Sequence, residues 1–181
     1  MVTRVRVATT FDPLFERCWS LYVEAFPEEE RRDMEYQCET MQRAEYCVDA
    51  VMDGNRFIGI LMWWEFGGLR YIEHFATLST LRGGGYGAQI LTAFLKEATT
   101  PIILEVEHPD RELNRRRITF YERLGFVLNL HDFAHPLYAQ PSDEMISLMI
   151  MTYPHGITQE ELQRFTTTLF RTVHFRYNPK Y

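Results

Sequence analysis

The apolar positions of this chain change period several times, and the changes mark out its elements. Residues 4–8, RVRVA, alternate like a half-buried strand. From Pro13, the apolar residues Leu14, Cys18, Trp19, Tyr22, Ala25 and Phe26 recur at helical spacing until Pro27 breaks the pattern. Helix resumes over 28–44, EEERRDMEYQCETMQRA, with acidic residues in the first turn, where the helix dipole favours them. YCVDAVM (46–52) reads as a strand, DGN (53–55) as a hairpin turn and RFIGILMWWEF (56–66) as the antiparallel partner. Gly67 and Gly68 turn the chain again into LRYIEHFAT (69–77).

A glycine-rich loop follows, then a helix over 85–98 that buries Ile90, Leu91, Phe94 and Leu95. IILEVE (102–107) is a short buried strand, and RELNRRRITFYERL (111–124) a helix ended by Gly125 at its C′ position. FVLNLHDF (126–133) and EMISLMIMT (144–152) are strands, and Thr158 with Glu161 forms a capping box for a last helix, 158–173. The order is an antiparallel meander, one strand–helix–strand crossover, a second helix and two more strands. It predicts an α/β (α+β) fold: a mixed, mostly antiparallel sheet of about seven strands with helices on both faces. Without repeats or linkers, residues 1–181 read as a single domain.

Composition narrows the function classes. A net charge of −6 argues against nucleic acid or an anionic membrane as partner and is compatible with a cationic amine. The longest apolar run, 57–64, is too short to span a bilayer, and the first residues alternate rather than forming a signal-peptide core. Cys18, Cys38 and Cys47 lack a CxxC motif or a histidine at metal spacing, so they predict reduced, mostly buried thiols in a cytoplasmic protein, and no metal.

The chemistry concentrates in LRGGGYGAQIL (81–91), where four of the first seven residues are glycine. Glycine is costly to order and is kept where the backbone needs positive φ or approaches something closely. A glycine loop opening a helix is a ready anion site. No GK[ST] is present, which removes the P-loop reading. Gly83, Gly85 and Ala88 satisfy GxGxxA, with Glu105 about twenty residues on, as a dinucleotide site asks; but LSTLR separates strand from glycine, and the preceding meander is antiparallel.

The alternative pattern, Arg82-x-x-Gly85-x-Gly87, resembles the acyl-CoA-binding motif of the GNAT superfamily of N-acyltransferases, and FYERLGF (120–126) is similar to its second signature. The resemblance covers roughly residues 3–152 and leaves the last helix beyond the common core. It implies a sheet splayed between strands four and five, with acetyl-CoA as cosubstrate. The diphosphate would lie on Arg82, Gly83, Gly84, Gly85, Tyr86, Gly87 and Ala88, and the pantetheine arm on the backbone of Phe75, Ala76 and Thr77. Asn114 stands seven residues before Tyr121, where many members carry an asparagine.

By the same resemblance the reaction is acetyl transfer to a primary amine by direct attack in a ternary complex. Tyr121 would protonate the leaving thiolate, since a phenol near 10 roughly matches a thiol; its alternative is a core tyrosine. Glu73 is the candidate base. Alternation puts it on the face of Phe75 and turns His74, whose intrinsic pKa suits a base better, to the other. A group outside this strand or water alone stays open as base, and the alternative for Glu73 is an ion pair with Arg70 or another neighbouring arginine. Arg115–Arg117 reads as a solvated helix face from which only Arg117 reaches a cofactor, and Trp63, Trp64 and Tyr71 as core rather than an acceptor cleft. Small-molecule and peptide amines, acetyl and longer acyl donors, and a homodimer all stay open. A catalytically silent acyl-CoA-binding module and a dinucleotide-binding oxidoreductase are the competing functions.

Overall fold

The protein is described from a computed structural model, over residues 1–66, 68–138 and 145–176; Gly67 and Glu144 of the predicted turn and strand lie outside the described residues. Two compact units emerge, one from Met1–Pro27 and Asp33–Thr100, the other from Glu28–Arg32 and the described residues after Thr100. Among the described residues, seven strands and five α-helices follow one another in the order the hydrophobic pattern predicts.

In the first unit, β1 (Val2–Arg6), β2 (Tyr46–Asp53), β3 (Arg56–Glu65) and β4 (Arg70–Thr77) pair antiparallel in sequence order. β2 and β3 are almost wholly buried because helices cover both faces. On one, α1 (Phe15–Ala25) sets Tyr22 edge-on to His74 with ring centroids 4.8 Å apart. On the other, α3 (Tyr86–Lys96) sets Phe94 against Trp63 at 5.2 Å. At the predicted hairpin Gly54 takes φ +58°, which a side chain would resist. Gly59 has a different reason: a Cβ there would lie 2.6 Å from the carbonyl oxygen of Ala76, so only glycine lets β3 and β4 come this close.

The continuous helix expected over 28–44 is broken. Glu28–Glu30 makes one 3₁₀ turn, and α2 runs only over Met34–Thr40. The cause is Asp33, held extended at ψ 170° while its carboxylate accepts from the Tyr36 amide at 2.7 Å. An aspartate competes with the helical backbone in this way and so starts a new helix instead of continuing the old one.

The second unit contains β5 (Ile102–Val106), β6 (Val127–Pro136) and β7 (Met145–Tyr153), ordered β5-β7-β6 and antiparallel. α4 (Glu112–Arg123) ends at Gly125, φ +93°, as predicted. α5 (Gln159–Thr172) starts at the predicted capping box and docks Phe165 on Phe133 with centroids 6.1 Å apart. Asn129 fastens the segment before α5: its amide donates to the carbonyls of Val127 and Ile150 and to Thr152 Oγ1, and its Oδ1 accepts from the Ile157 amide at 2.9 Å.

Candidate active site

The residues singled out from sequence divide between the units: Glu73, Phe75, Ala76, Thr77 and residues 82–88 belong to the first, Asn114 and Tyr121 to the second. After β4 the chain makes a 3₁₀ turn at Ser79–Leu81 and reaches the glycine loop. Gly83 and Gly85 take φ +81° and +76°, and Gly85 is the N-cap of α3. The Gly84 amide between these left-handed positions donates to the Leu81 carbonyl at 3.2 Å, and the helix leaves its first amides without an intrahelical acceptor. Among the described residues nothing accepts from the amides of Gly83, Gly85, Tyr86, Gly87 or Ala88. A Cβ at Gly83 would meet nothing within 4 Å, so space is open above the loop. Arg82 is exposed, has no ion-pair partner among the described residues, and no acidic side chain stands in the first turn of α3. The set fits an anion. Tyr86 joins it through its amide alone, because its hydroxyl donates to Asp53 Oδ2 at 3.0 Å.

Along β4, Phe75, Ala76 and Thr77 pair with Leu61, Ile60 and Gly59, and Phe75 packs against the buried cluster of Val51, Ile58 and Ile90. Glu73 departs from the alternation expected of it. Met62 pairs with His74 but Trp63 with Ile72, so Glu73 is the extra residue of a β-bulge. The bulge turns Glu73 and His74 to the same side, away from Phe75. His74 packs edge-on to Tyr22 and Phe26 of the α1 segment, and its Nδ1 lies 3.6 Å from Glu73 Oε2. Trp64 Nε1 donates to that same oxygen at 3.1 Å, and the Glu73 side chain is 1% exposed. Arg70 does not pair with Glu73; it donates to Glu65 at 3.0 Å.

In the second unit Tyr121 is half-buried between Phe120 and Phe126, with centroids 5.2 and 5.6 Å away. Burial pushes its phenol up to about 12, well above the value near 10 assumed from sequence. Asn114 spends both amide hydrogens on its own loop, donating to the His108 carbonyl and Asp110 Oδ1 at 3.0 Å each, which leaves only Oδ1 for a ligand. Arg115 donates to the Pro109 carbonyl, and Arg117, the one arginine expected to reach a cofactor, pairs with Glu107.

Cys18 and Cys47 are buried, Cys38 is half-buried, and all three are free thiols. Burial raises the Cys18 thiol to about 12 and also raises Cys47, despite the neighbouring Arg6 guanidinium. Trp63, Trp64 and Tyr71 are core side chains, as read from the sequence. Sequence reasoning missed buried Asp49, which accepts from Arg4 and Arg6 at 2.7 Å each and from Trp63 Nε1 at 2.9 Å. A carboxylate alone in an apolar strand, opposite alternating arginines, was the available signal. It also missed a buried group in the second unit, where His135 and His174 meet Nε2 to Nε2 at 3.2 Å beside Glu105 and Tyr138. Among the described residues, no group of three or more His, Cys, Asp or Glu side chains is arranged to hold a metal ion, and no helix is long and apolar enough to cross a membrane.

The description of the acetyltransferase (GNAT) family matches residues 11–126. Among solved structures, a GNAT-family protein from Bacteroides thetaiotaomicron is 32% identical, with a TM-score of 0.87 over 98% of this chain and 98% of that one. Arabidopsis thaliana NAA60 in complex with acetyl-CoA is 16% identical, with a TM-score of 0.61 over 84% of this chain and 98% of its own. An aminoglycoside 6′-N-acetyltransferase complexed with coenzyme A is 14% identical, with a TM-score of 0.62 over 88% and 99%. The last two speak for the fold alone. Comparison with curated proteins finds no match.

Proposed function

The chain belongs to the GNAT acetyltransferase family, and from that premise we propose that it transfers the acetyl group of acetyl-CoA to a primary amine by direct attack in a ternary complex. The observation that carries this reading is the glycine loop, where, among the described residues, the amides of Gly83, Gly85, Tyr86, Gly87 and Ala88 have no acceptor and Arg82 has no ion-pair partner, with open space at Gly83. A diphosphate matches that donor set. The acetyl-CoA and coenzyme A held by the two more distant relatives support the same donor. Residues 82–88 hold the diphosphate, and the backbone of Phe75, Ala76 and Thr77 holds the pantetheine arm. The free thiols fit a reducing, cytoplasmic setting.

The amine nitrogen attacks the thioester carbonyl, its C–N bond forms, and the C–S bond breaks to release the thiolate. Glu73 is the base for the amine proton. Its burial leaves no surface for direct contact, so the proton arrives by a relay, and His74 is the adjoining titratable group. Tyr121 donates to the departing sulfur. Cys18 and Cys47 take no part, since burial keeps them protonated.

One observation favours a second reading. A buried Glu73 and a Tyr121 held near 12 are also what a catalytically silent acyl-CoA-binding module would show. Thiol release from acetyl-CoA against a panel of aminoglycosides, polyamines, amino acids and peptides separates the two, with coenzyme A binding measured by calorimetry alongside. Turnover supports the enzyme, binding without turnover on any amine supports the silent module, and absence of binding removes both.

A further inference from the structure

We infer that Asp53 and Tyr86 form a clamp that sets the conformation of the glycine loop, making them positioning residues for the diphosphate of an acyl-CoA; the inference rests on the acyl-CoA reading above. It starts from a glycine that left-handed backbone does not explain. Gly83 and Gly85 need positive φ, but Gly84 does not. A Cβ at Gly84 would lie 3.2 Å from the Leu81 carbonyl oxygen and 3.4 and 3.6 Å from Cδ2 and Cε2 of Tyr86. The middle of the loop therefore rests directly on the Tyr86 ring.

That ring is fixed on two sides. It packs against the buried cluster of Val51, Ile58 and Ile90. Its hydroxyl donates to Asp53 Oδ2 at 3.0 Å, across 33 residues of sequence. Asp53 closes β2, and its other oxygen accepts from the amino-terminal ammonium at 2.9 Å. Those two hydrogen bonds, the amino-terminal one first, hold its carboxyl below the ordinary range, so it stays an ionised acceptor at working pH. The clamp thus joins the β2–β3 hairpin to the start of α3, whose amides face the ligand. Releasing the hydroxyl lets the ring tilt beneath Gly84. The loop then has to be ordered when the ligand binds, which weakens affinity without touching a ligand contact.

The test compares the full wild-type chain with Tyr86→Phe, Asp53→Asn, Asp53→Ala and Gly84→Ala. It measures the coenzyme A dissociation constant by calorimetry, KM and kcat for acetyl-CoA, and the melting temperature. Tyr86→Phe isolates the hydroxyl, because the amino-terminal pair on Asp53 survives. Coenzyme A affinity should fall about three- to tenfold in Tyr86→Phe and Asp53→Ala, the scale of one hydrogen bond. Asp53→Asn, which keeps an acceptor for the hydroxyl, should recover most of that loss. Gly84→Ala should weaken binding from the loop side, and in each case the change should enter KM rather than kcat. A wild-type chain that does not bind coenzyme A ends the acyl-CoA reading and the clamp with it. Wild-type binding with undiminished affinity in both Tyr86→Phe and Asp53→Ala, whatever their melting temperatures, overturns the clamp alone.

Discussion

Tyr121→Phe deletes one oxygen and keeps the ring between Phe120 and Phe126, so it separates chemistry from packing at a single atom. Against a thiol near 8.5, a phenol near 10 would hand over its proton uphill by only about 1.5 pH units, or about 2 kcal/mol. Burial moves the balance: with Tyr121 at about 12 and a thiol near 8.5, complete transfer is uphill by about 3.5 pH units, or about 5 kcal/mol. The hydroxyl then helps chiefly as a hydrogen-bond donor to the sulfur while charge develops there. A hydrogen bond to a charged group is worth about 1.5–3 kcal/mol, which corresponds to a loss of roughly 10- to 150-fold in kcat. The assay is kcat at saturating acetyl-CoA and amine, followed by thiol release, beside the melting temperature. The sign with pH also follows. The folded chain holds this proton more tightly than the unfolded chain, so its contribution to stability is complete below 10 and drains as pH rises toward about 12. Wild-type kcat should accordingly show no basic limb from Tyr121 near 10. Unchanged kcat in Tyr121→Phe would falsify the donor role, and a limb near 10 that vanishes in the variant would refute the burial argument.

Other perturbations probe the frame and the route. Asp49→Asn removes the buried carboxylate shared by the mostly buried Arg4 and the half-exposed Arg6, so it should cost about 3 kcal/mol. That lowers the melting temperature by roughly 6–12 °C for a chain of this size; a drop under about 2 °C on the same scale would show that Asp49 is not a keystone. Intact mass after acid quenching of an acetyl-CoA incubation should show no stoichiometric acetyl thioester on Cys18, Cys38 or Cys47, and finding one replaces direct attack with a ping-pong route. Glu161 is held below the ordinary carboxylate range by its hydrogen bonds with Thr158, the backbone one first. The support it lends α5 is therefore present above its unfolded value and lost as pH falls through the lower folded one. Protection at the start of α5, taken relative to intrinsic exchange at each pH, should fall in acid in the wild type, and an equal acid response in Glu161→Gln would remove the capping box as its cause.

The elements were legible wherever one local rule acted alone. Alternation, helical spacing, the DGN turn, Gly125 and the Thr158–Glu161 box each specify a short stretch without outside help, and the structure follows them. The helix break at Asp33 was obscured because five charged residues before it read equally well as a solvated first turn. At Glu73 two adjacent polar residues interrupt an apolar strand, the trace a bulge leaves, yet the same doublet fits ordinary alternation. The glycine loop was readable because glycine announces backbone demands directly. Tyr86 and Asp53 were not paired by any pattern, since a contact across 33 residues depends on how the strands register. The raised Tyr121 phenol was invisible for a similar reason: sequence identifies the ring, and only packing supplies its surroundings.

Gly59 shows how little a mutational map can say about role. Every substitution there drives a Cβ toward the Ala76 carbonyl oxygen, and that oxygen belongs to the strand proposed to carry the pantetheine arm. A saturation library scored by acetyl transfer would therefore mark position 59 as intolerant, alongside Gly83 and Gly85. Scored by folded yield, the same library would set them apart by degree, because a side chain at Gly83 meets only the strain of its positive φ whereas one at Gly59 meets backbone that cannot retreat. Intolerance at residue 59 marks the closeness of two neighbouring strands, and a designer reshaping the donor site inherits that spacing as a fixed dimension.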